Sequence, residues 1–221
     1  MDTSLRKQII QLYRQRAGNY DFTANLYYLI GYPEWKYRRI AVDALGLKPG
    51  NTVIEIACGT GLNFELYQKA IGPTGKIIGV DLTDAMLGQA KQRIEKHAWE
   101  NVELVHSDAL AYPFPTGVDG IISTYALSLI PEAPVILERA IQALKPGGRL
   151  SLIELQIPDD WPQWMTAVGL WLTGPFAITD EWLAHRPWKD IRQKIQSGLD
   201  DIQIEEKYLR TTYIISGKKS N

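Results

Sequence analysis

Apolar residues in this chain fall into short runs that alternate with longer stretches of helical periodicity. Runs rich in β-branched residues predict five strands, at about 52–57, 76–80, 102–106, 118–123 and 149–156. Apolar positions three or four apart predict helices between them, at about 62–71, 84–97 and 131–144. This alternation indicates βαβ units and therefore a parallel, doubly wound α/β sheet.

The two ends of the chain have a different pattern. The first fifty residues predict helices at roughly 4–17 and 22–46, and a turn follows at 48–51. After Pro158 the chain is rich in Trp and Pro and mostly helical, and two β-runs at 201–209 and 211–217 then predict an antiparallel closing pair. We expect one domain over residues 1–221, divided into a helical cap 1–50, a core 51–157, a Trp-rich helical insertion 158–199 and closing strands 200–221.

The most informative segment is V-I-E-I-A-C-G-T-G-L-N, residues 53–63. A buried strand ends there in small residues and passes into a helix near Leu62, so that backbone N–H groups face a ligand. Gly59 and Gly61 lack the Cβ atoms that would keep a cofactor away from the backbone. Asp81 lies twenty residues beyond Gly61, at the tip of the second strand, where a carboxylate accepts hydrogen bonds from ribose hydroxyls. This pattern predicts a nucleoside-containing cofactor.

The spacing of the motif narrows the choice of cofactor. Ala57-x-Gly59-x-Gly61 is shorter than the G-x-G-x-x-G fingerprint of dinucleotide-binding proteins. Glu55, two residues before Ala57, would repel a pyrophosphate and attract a sulfonium or ammonium group. The motif therefore disfavours a nicotinamide-dependent oxidoreductase and favours a cofactor without a pyrophosphate.

Composition and charge exclude several other classes of protein. The formal net charge of -1 gives no reason to expect a nucleic-acid partner. A single cysteine, Cys58, excludes an internal disulfide and fits a reducing compartment, so we expect a cytoplasmic protein. The chain has neither the apolar core of a signal peptide nor the run of about 18 apolar residues that a spanning helix requires. The three histidines lack metal-ligand spacing, so no metal is expected.

The motifs collectively resemble those of class I S-adenosylmethionine-dependent methyltransferases. The glycine motif is similar to motif I of that class, and the order of the other motifs also agrees: V-D-L-T at 80–83, H-S-D-A at 106–109, F-P-T-G-V-D-G-I-I-S at 114–123 and L-K-P-G-G-R-L at 144–150. The resemblance covers about residues 45–157. Overall the chain resembles the branch that contains phospholipid and betaine-lipid N-methyltransferases and ubiquinone/menaquinone methyltransferases. It implies a Rossmann-like sheet of seven strands, mostly parallel with an antiparallel last strand. Ala57 departs from the family pattern, which usually has a glycine there.

The resemblance implies S-adenosylmethionine as the cofactor. In this assignment Asp81 binds the ribose, Asp108 receives the adenine amino group beside Ala109, and Leu82 and Met86 flank the adenine. Glu55 would order the glycine loop or engage the methionine moiety. The other residues that it assigns to cofactor binding are Tyr20, Ala57, Gly59, Gly61, Asn63 and Ser123. Asp108 has a simpler alternative role as a helix-capping residue.

The segment 123–128 after the fourth strand lines the methyl-transfer site in members of this class. Here it carries hydroxyls and no carboxylate, and it lacks the Asn-Pro-Pro-Tyr segment of enzymes that methylate adenine or glutamine amides. We hypothesise that Tyr20 and Tyr125 are the catalytic residues and orient the acceptor. The first choice of acceptor is an amine nitrogen of a lipid or small molecule, and the alternative is a carbon of a quinone precursor. A small soluble acceptor and a non-catalytic cofactor-binding module remain open.

Two features at the ends of the chain bear on a lipid acceptor. Residues 1–50 carry eight Lys or Arg against four Asp or Glu, and four of the seven tryptophans fall between Trp161 and Trp182. The basic segment with Lys36, Arg38 and Arg39, together with the Trp-rich insertion, would allow peripheral contact with an anionic membrane. The alternative is a lid helix that buries its tryptophans against the sheet.

Overall fold

The computed structural model describes residues 11–19, 31–162, 164–166 and 180–220. In this part of the chain seven strands form one sheet, in the order β3-β2-β1-β4-β5-β7-β6. The strands are β1 Thr52–Ile56, β2 Lys76–Asp81, β3 Val102–His106, β4 Val118–Thr124, β5 Leu144–Leu155, β6 Asp200–Lys207 and β7 Thr212–Lys218. β1 to β5 are parallel, whereas β7 pairs antiparallel with both β5 and β6. The predicted α/β sheet is confirmed.

Helices cover both faces of this sheet. They are α1 Glu34–Asp43, α2 Phe64–Ile71, α3 Asp84–His97, α4 Ala133–Ala143, α5 Asp180–His185 and α6 Pro187–Gly198. Residues 11–16 are also helical and continue into a 3-10 turn, Ala17–Asn19, and a second 3-10 turn, Leu127–Leu129, follows β4. A parallel sheet needs such cover on both sides, which explains the nearly continuous apolar runs of its strands.

Alternate residues of each strand supply two separate cores. In β1, Val53 packs in the core shared with α1, α2 and α3, whereas Ile54 packs in the core shared with α4, α5 and α6. Ile54 lies beside Ile78 of β2 and Ile121 of β4, so the centre of the sheet is apolar across three strands. The chain reverses its direction of travel across the sheet between β1 and β4, and parallel sheets place ligands at such a switch point.

The predicted helix at 22–46 is wrong at residues 31–33, and its earlier part, 22–30, lies outside the described residues. Gly31 has a φ of 75°, and Pro33 disfavours helical backbone in the residue before it. The helix therefore begins only at Glu34 and ends at Asp43. Strand β5 also begins earlier than predicted, because Leu144 already pairs with Val118 before an irregularity in the register.

The Trp-rich insertion buries two of its aromatic residues. Trp182 and Trp188 lie 4.7 Å apart, ring centre to ring centre, in the core on the α4 face. Trp164 is 68% exposed, and Trp171 and Phe176 lie outside the described residues. The α5–α6 part of the insertion therefore buries its tryptophans, as the alternative to membrane contact expects. No helix that the structure describes has the length and apolarity to cross a bilayer. The division of the chain into a single domain with four parts stays a prediction.

Gly79, at the centre of β2, provides a test of this packing. A Cβ atom at Gly79 would stand 2.9 Å from both Cys58 Sγ and Phe64 Cζ, so we expect Gly79→Ala to lower the free energy of unfolding by about 1–3 kcal/mol through overpacking. Gly88→Ala is the matched control, because a Cβ there meets nothing within 4 Å and alanine favours the helix. Urea unfolding measures both variants, and a shift in the same direction would contradict the packing described for β2.

Candidate cofactor and acceptor site

The site is a cavity of about 790 Å³, counting its open mouth, along the carboxyl ends of β1 to β4. Its lining residues come from the segment that precedes α1 and from the loops after these four strands. They are Tyr13, Ala57, Gly59, Val80, Asp81, Leu82, Thr83, Met86, Ser107, Asp108, Ala109, Thr124, Tyr125, Ala126, Leu129 and Ile130.

Three residues of the glycine motif adopt left-handed backbone. Ala57, Gly59 and Gly61 have φ values of 54°, 56° and 74°. Ala57 lies where the family usually has glycine, and left-handed backbone explains that preference. A Cβ at Gly59 would meet nothing within 4 Å, whereas one at Gly61 would stand 2.6 Å from the Phe64 ring. Gly59 therefore leaves open space at the cavity wall, and Gly61 lets the loop close onto α2.

Asp81 joins the ends of β1 and β2. One carboxylate oxygen accepts the Gly59 N–H and the other accepts the Thr83 N–H, each at 2.8 Å. Burial raises the pKa of Asp81, and the two backbone hydrogen bonds oppose that shift. The carboxylate that the sequence assigns to the ribose thus also holds the glycine loop, and a carboxylate can accept further hydrogen bonds from a ligand.

The predicted adenine side lies beside β2 and β3. Leu82, Met86, Asp108 and Ala109 all line the cavity. Asp108 accepts the Leu110 N–H at 2.9 Å within a turn at residues 109–111, which is not a helix cap. This contact is compatible with adenine binding, because a carboxylate accepts several hydrogen bonds.

Glu55 and Asn63 do not line the cavity but form a buried polar cluster under the glycine loop. The Asn63 amide donates to Glu55 at 2.5 Å and to the Thr124 hydroxyl at 3.2 Å. Burial raises the pKa of Glu55 to about 7, while the Asn63 hydrogen bond and the nearby Arg38 charge lower it. This placement links β1, the strand before the glycine loop, to Thr124, the last residue of β4. Gly61 and Ser123 are likewise absent from the cavity lining.

The position of Arg38 contradicts the interpretation, made from the sequence, that it belongs to a basic surface. We expected it on a basic surface facing a membrane, but its side chain is only 4% exposed and pairs with Glu34 at 2.6 Å. It also donates to Asn63 at 3.2 Å and to Thr124 at 2.8 Å. Its neighbours in sequence, Lys36 and Arg39, are exposed. Arg38 therefore belongs to the buried cluster and not to a surface, because a guanidinium with several acceptors can be buried.

Tyr125 stands at the cavity wall in strained backbone. Its φ is 59°, and its N–H donates to the Ile153 carbonyl at 2.8 Å. Its hydroxyl accepts from Tyr32, whose own hydroxyl lies 2.8 Å from Thr212 Oγ1. Burial raises the pKa of Tyr125 well above its usual value, so the side chain stays protonated at neutral pH. Tyr20, its predicted partner, lies outside the described residues.

Sequence reasoning missed several lining residues. Tyr13 comes from the N-terminal helical stretch, which Arg14 fixes to α3 through a two-pronged contact with Asp84 at 2.8 and 3.0 Å. The helical spacing of Leu12 and Tyr13 gave no sign that this residue faces the cavity. Leu129 and Ile130 follow the predicted loop 123–128 directly, so a longer window after β4 would have included them.

The sheet order, the glycine loop and the acidic residue at the tip of β2 are those of the fold of class I S-adenosylmethionine-dependent methyltransferases. The model of the ubiE/COQ5 methyltransferase family matches residues 1–176, so the chain belongs to that family. A demethylmenaquinone methyltransferase of Staphylococcus aureus is 30% identical over 154 residues, 69% of this chain and 62% of that protein. The chain thus spans less than two thirds of the length of this relative.

Two solved structures share the fold at low identity. An S-adenosylmethionine-dependent O-methyltransferase of Thermotoga maritima has a TM-score of 0.62 at 18% identity and covers 86% of this chain and 66% of its own. Phosphoethanolamine N-methyltransferase 2 of Haemonchus contortus, in complex with S-adenosylmethionine, has a TM-score of 0.64 at 16% identity and covers 85% of this chain and 53% of its own. At these identities the two structures show a shared fold, and the family match supports S-adenosylmethionine as the cofactor.

The two glycines of the loop give a prediction that separates binding from stability. Gly59→Ala adds only left-handed strain, about 1–2 kcal/mol, and we expect it to weaken S-adenosylmethionine binding because its Cβ enters the open space at the wall. Gly61→Ala adds the clash with Phe64 and should cost about 2–4 kcal/mol of stability. Calorimetric titration and urea unfolding of both variants measure these effects. Unchanged cofactor affinity in Gly59→Ala would contradict the assignment.

Proposed function

We propose that this chain transfers a methyl group from S-adenosylmethionine to a ring carbon of a quinol-type aromatic acceptor. Family membership carries this proposal, since the match spans residues 1–176 and so includes the residues that line the cavity. The Staphylococcus aureus relative is a demethylmenaquinone methyltransferase by name. This places the quinone alternative from the sequence ahead of the amine acceptor.

The residues along the sheet edge fit the cofactor. The order β3-β2-β1-β4 puts Asp108 and Asp81 on one side of the glycine loop and the loop after β4 on the other. The open space beside Gly59 admits a group close to the backbone. We assign the nucleoside to Asp81, Asp108, Leu82 and Met86, and the methyl-bearing end to the side of β4. When bound, the cofactor would supply an electrophilic methyl group, with S-adenosylhomocysteine as the leaving group and the proton of the methylated ring carbon released to solvent.

The β4 side of the cavity suits a neutral, largely apolar acceptor. Its lining residues are Thr124, Tyr125, Ala126, Leu129 and Ile130, and none of them is charged. Tyr125 is held as a phenol, so it acts as a hydrogen-bond donor or acceptor and not as a base. Its place in the chain from Thr212 through Tyr32 fixes the hydroxyl, which would orient a ring oxygen of the acceptor.

An amine acceptor, the first choice from the sequence, stays a prediction. The Haemonchus contortus enzyme is an N-methyltransferase by name, but at 16% identity it shares only the fold. A cationic amine is usually held by carboxylates or aromatic faces, and the acidic residues of the lining, Asp81 and Asp108, lie on the nucleoside side. Peripheral membrane contact also stays a prediction, now without Arg38.

The acceptor is tested by offering both classes to the purified chain. With labelled S-adenosylmethionine, we expect methylation of a reduced demethylated naphthoquinol carrying a short prenyl tail, detected by mass spectrometry as a carbon-bound methyl. Ethanolamine phospholipid and phosphoethanolamine in matched assays should yield no product above the no-acceptor rate. Methylated amine without methylated quinol would overturn the proposal in favour of the amine acceptor.

The role of Tyr125 is tested with Tyr125→Phe. Loss of one hydrogen bond to the acceptor should lower kcat/KM for the quinol about tenfold and leave the Kd of S-adenosylmethionine unchanged. Tyr112→Phe is the matched control, because Tyr112 is buried in the opposite core and does not line the cavity. Full kcat/KM in Tyr125→Phe would show that this hydroxyl does not orient the acceptor.

A further inference from the structure

Glu154 is a fully buried carboxylate near the end of β5 that binds the backbone of another loop. One of its oxygens accepts the N–H groups of Ala126 at 3.2 Å and Leu127 at 2.8 Å, and the other accepts the Ser128 N–H at 3.3 Å. Three successive amides therefore converge on one side chain. Neither the motifs nor the composition assigned Glu154 any role.

These amides begin the 3-10 turn Leu127–Leu129, where N–H groups have no partner within the turn. The residue just before them is Tyr125, in left-handed backbone. Ala126, Leu129 and Ile130 from the same stretch line the cavity on the β4 side. The Glu154 carboxylate thus fixes the main chain that carries this wall.

We propose that Glu154 is a positioning residue that holds the loop 125–130 in the shape that binds the methyl acceptor. The inference rests on the proposed function, which places the acceptor at this loop. Glu154 does not line the cavity and so acts through the main chain, not on the acceptor itself. Because S-adenosylmethionine is assigned mainly to the loops after β1, β2 and β3, the effect should fall on the acceptor and spare the cofactor.

The negative charge of Glu154 is stabilised mainly by these three amides. Its neighbour across the β5–β7 pair is Tyr213, and Arg192 of α6 lies over that tyrosine ring at 4.3 Å from its centre. Within the described residues, no Lys or Arg forms an ion pair with Glu154. Burial raises its pKa to about 7, opposed by hydrogen bonds from the Ser128 hydroxyl and from the three amides. Protonation weakens the acceptor strength of the carboxylate, so the loop should be held less firmly as the pH falls through 7.

Glu154→Gln tests the proposal, because the amide keeps the size but turns an N–H₂ group toward backbone donors. We expect the KM of the acceptor to rise about tenfold and hydrogen exchange of residues 126–128 to accelerate about as much, with the Kd of S-adenosylmethionine unchanged. Glu154→Asp keeps the charge and should restore part of the acceptor affinity. Ser151→Ala is the control, since this buried β5 side chain is outside the cavity lining and should change neither measurement.

The pH dependence of the acceptor KM is a second test, and it can be measured on the wild-type chain. The acceptor KM should rise between about pH 8 and 6 in the wild type and stay flat in Glu154→Gln. Should Glu154→Gln fail to fold, Glu154→Asp replaces it, and an unchanged acceptor KM in that variant overturns the proposal. Unchanged exchange at 126–128, or a parallel loss of cofactor and acceptor affinity, also overturns it. Absence of quinol methylation by the wild type would refute the proposed function alone, because the exchange comparison still decides the role of Glu154.

Discussion

The hydrogen bond from the Gly59 amide to the Asp81 carboxylate is the contact on which the cofactor site depends. It joins the loop after β1 to the end of β2 at 2.8 Å, across two strands that are already paired in register. The loop residues Ala57, Gly59 and Gly61 all have positive φ, which is unfavourable for Ala57 in particular. A charge-assisted hydrogen bond in a buried place is strong enough to offset such strain. The same carboxylate that would meet the ribose therefore keeps the loop open to receive it.

A second buried cluster, centred on Arg38, connects α1 to the sheet. Burying a guanidinium is costly unless nearly all its donors are satisfied. Glu34, Asn63 and Thr124 satisfy them from α1, from the residue before α2, and from the end of β4. Because one side chain joins these three elements, α1 has a single preferred position on the sheet. That position also sets the Tyr32 ring, whose hydroxyl bonds Tyr125 at the cavity wall.

Elements that depend on local sequence pattern were predicted well, whereas features that depend on how the elements pack together were missed. Strand β3 was placed at its observed bounds, because its alternation and its flanking turns are local signals. The helix predicted at 22–46 lacked the break at Gly31 and Pro33, because apolar spacing was given more weight than the proline, after which the described helix begins at once. Arg38 counted as a surface charge because composition carries no information on burial. Glu55 and Asn63 lie beneath the cavity, which only the packing of β1 against β4 reveals. Seven of the residues predicted for the cofactor do line the cavity, namely Ala57, Gly59, Asp81, Leu82, Met86, Asp108 and Ala109.

The two halves of the cavity differ in how their chemistry is supplied. On the β2 and β3 side, side-chain carboxylates and apolar side chains line the cavity directly, so substitutions there would alter the proposed cofactor site. On the β4 side, Tyr125 is held by a main-chain bond to Ile153 and the following amides by Glu154. Thr124 and Tyr125 are also held through their side chains, since the Thr124 hydroxyl accepts from Arg38 and the Tyr125 hydroxyl accepts from Tyr32. Leu129 and Ile130 follow them and add apolar side chains to the lining. Because an O-methyltransferase and an N-methyltransferase share this fold at 16–18% identity, the fold does not fix the acceptor, and the proposed ring acceptor depends on the side chains of this loop.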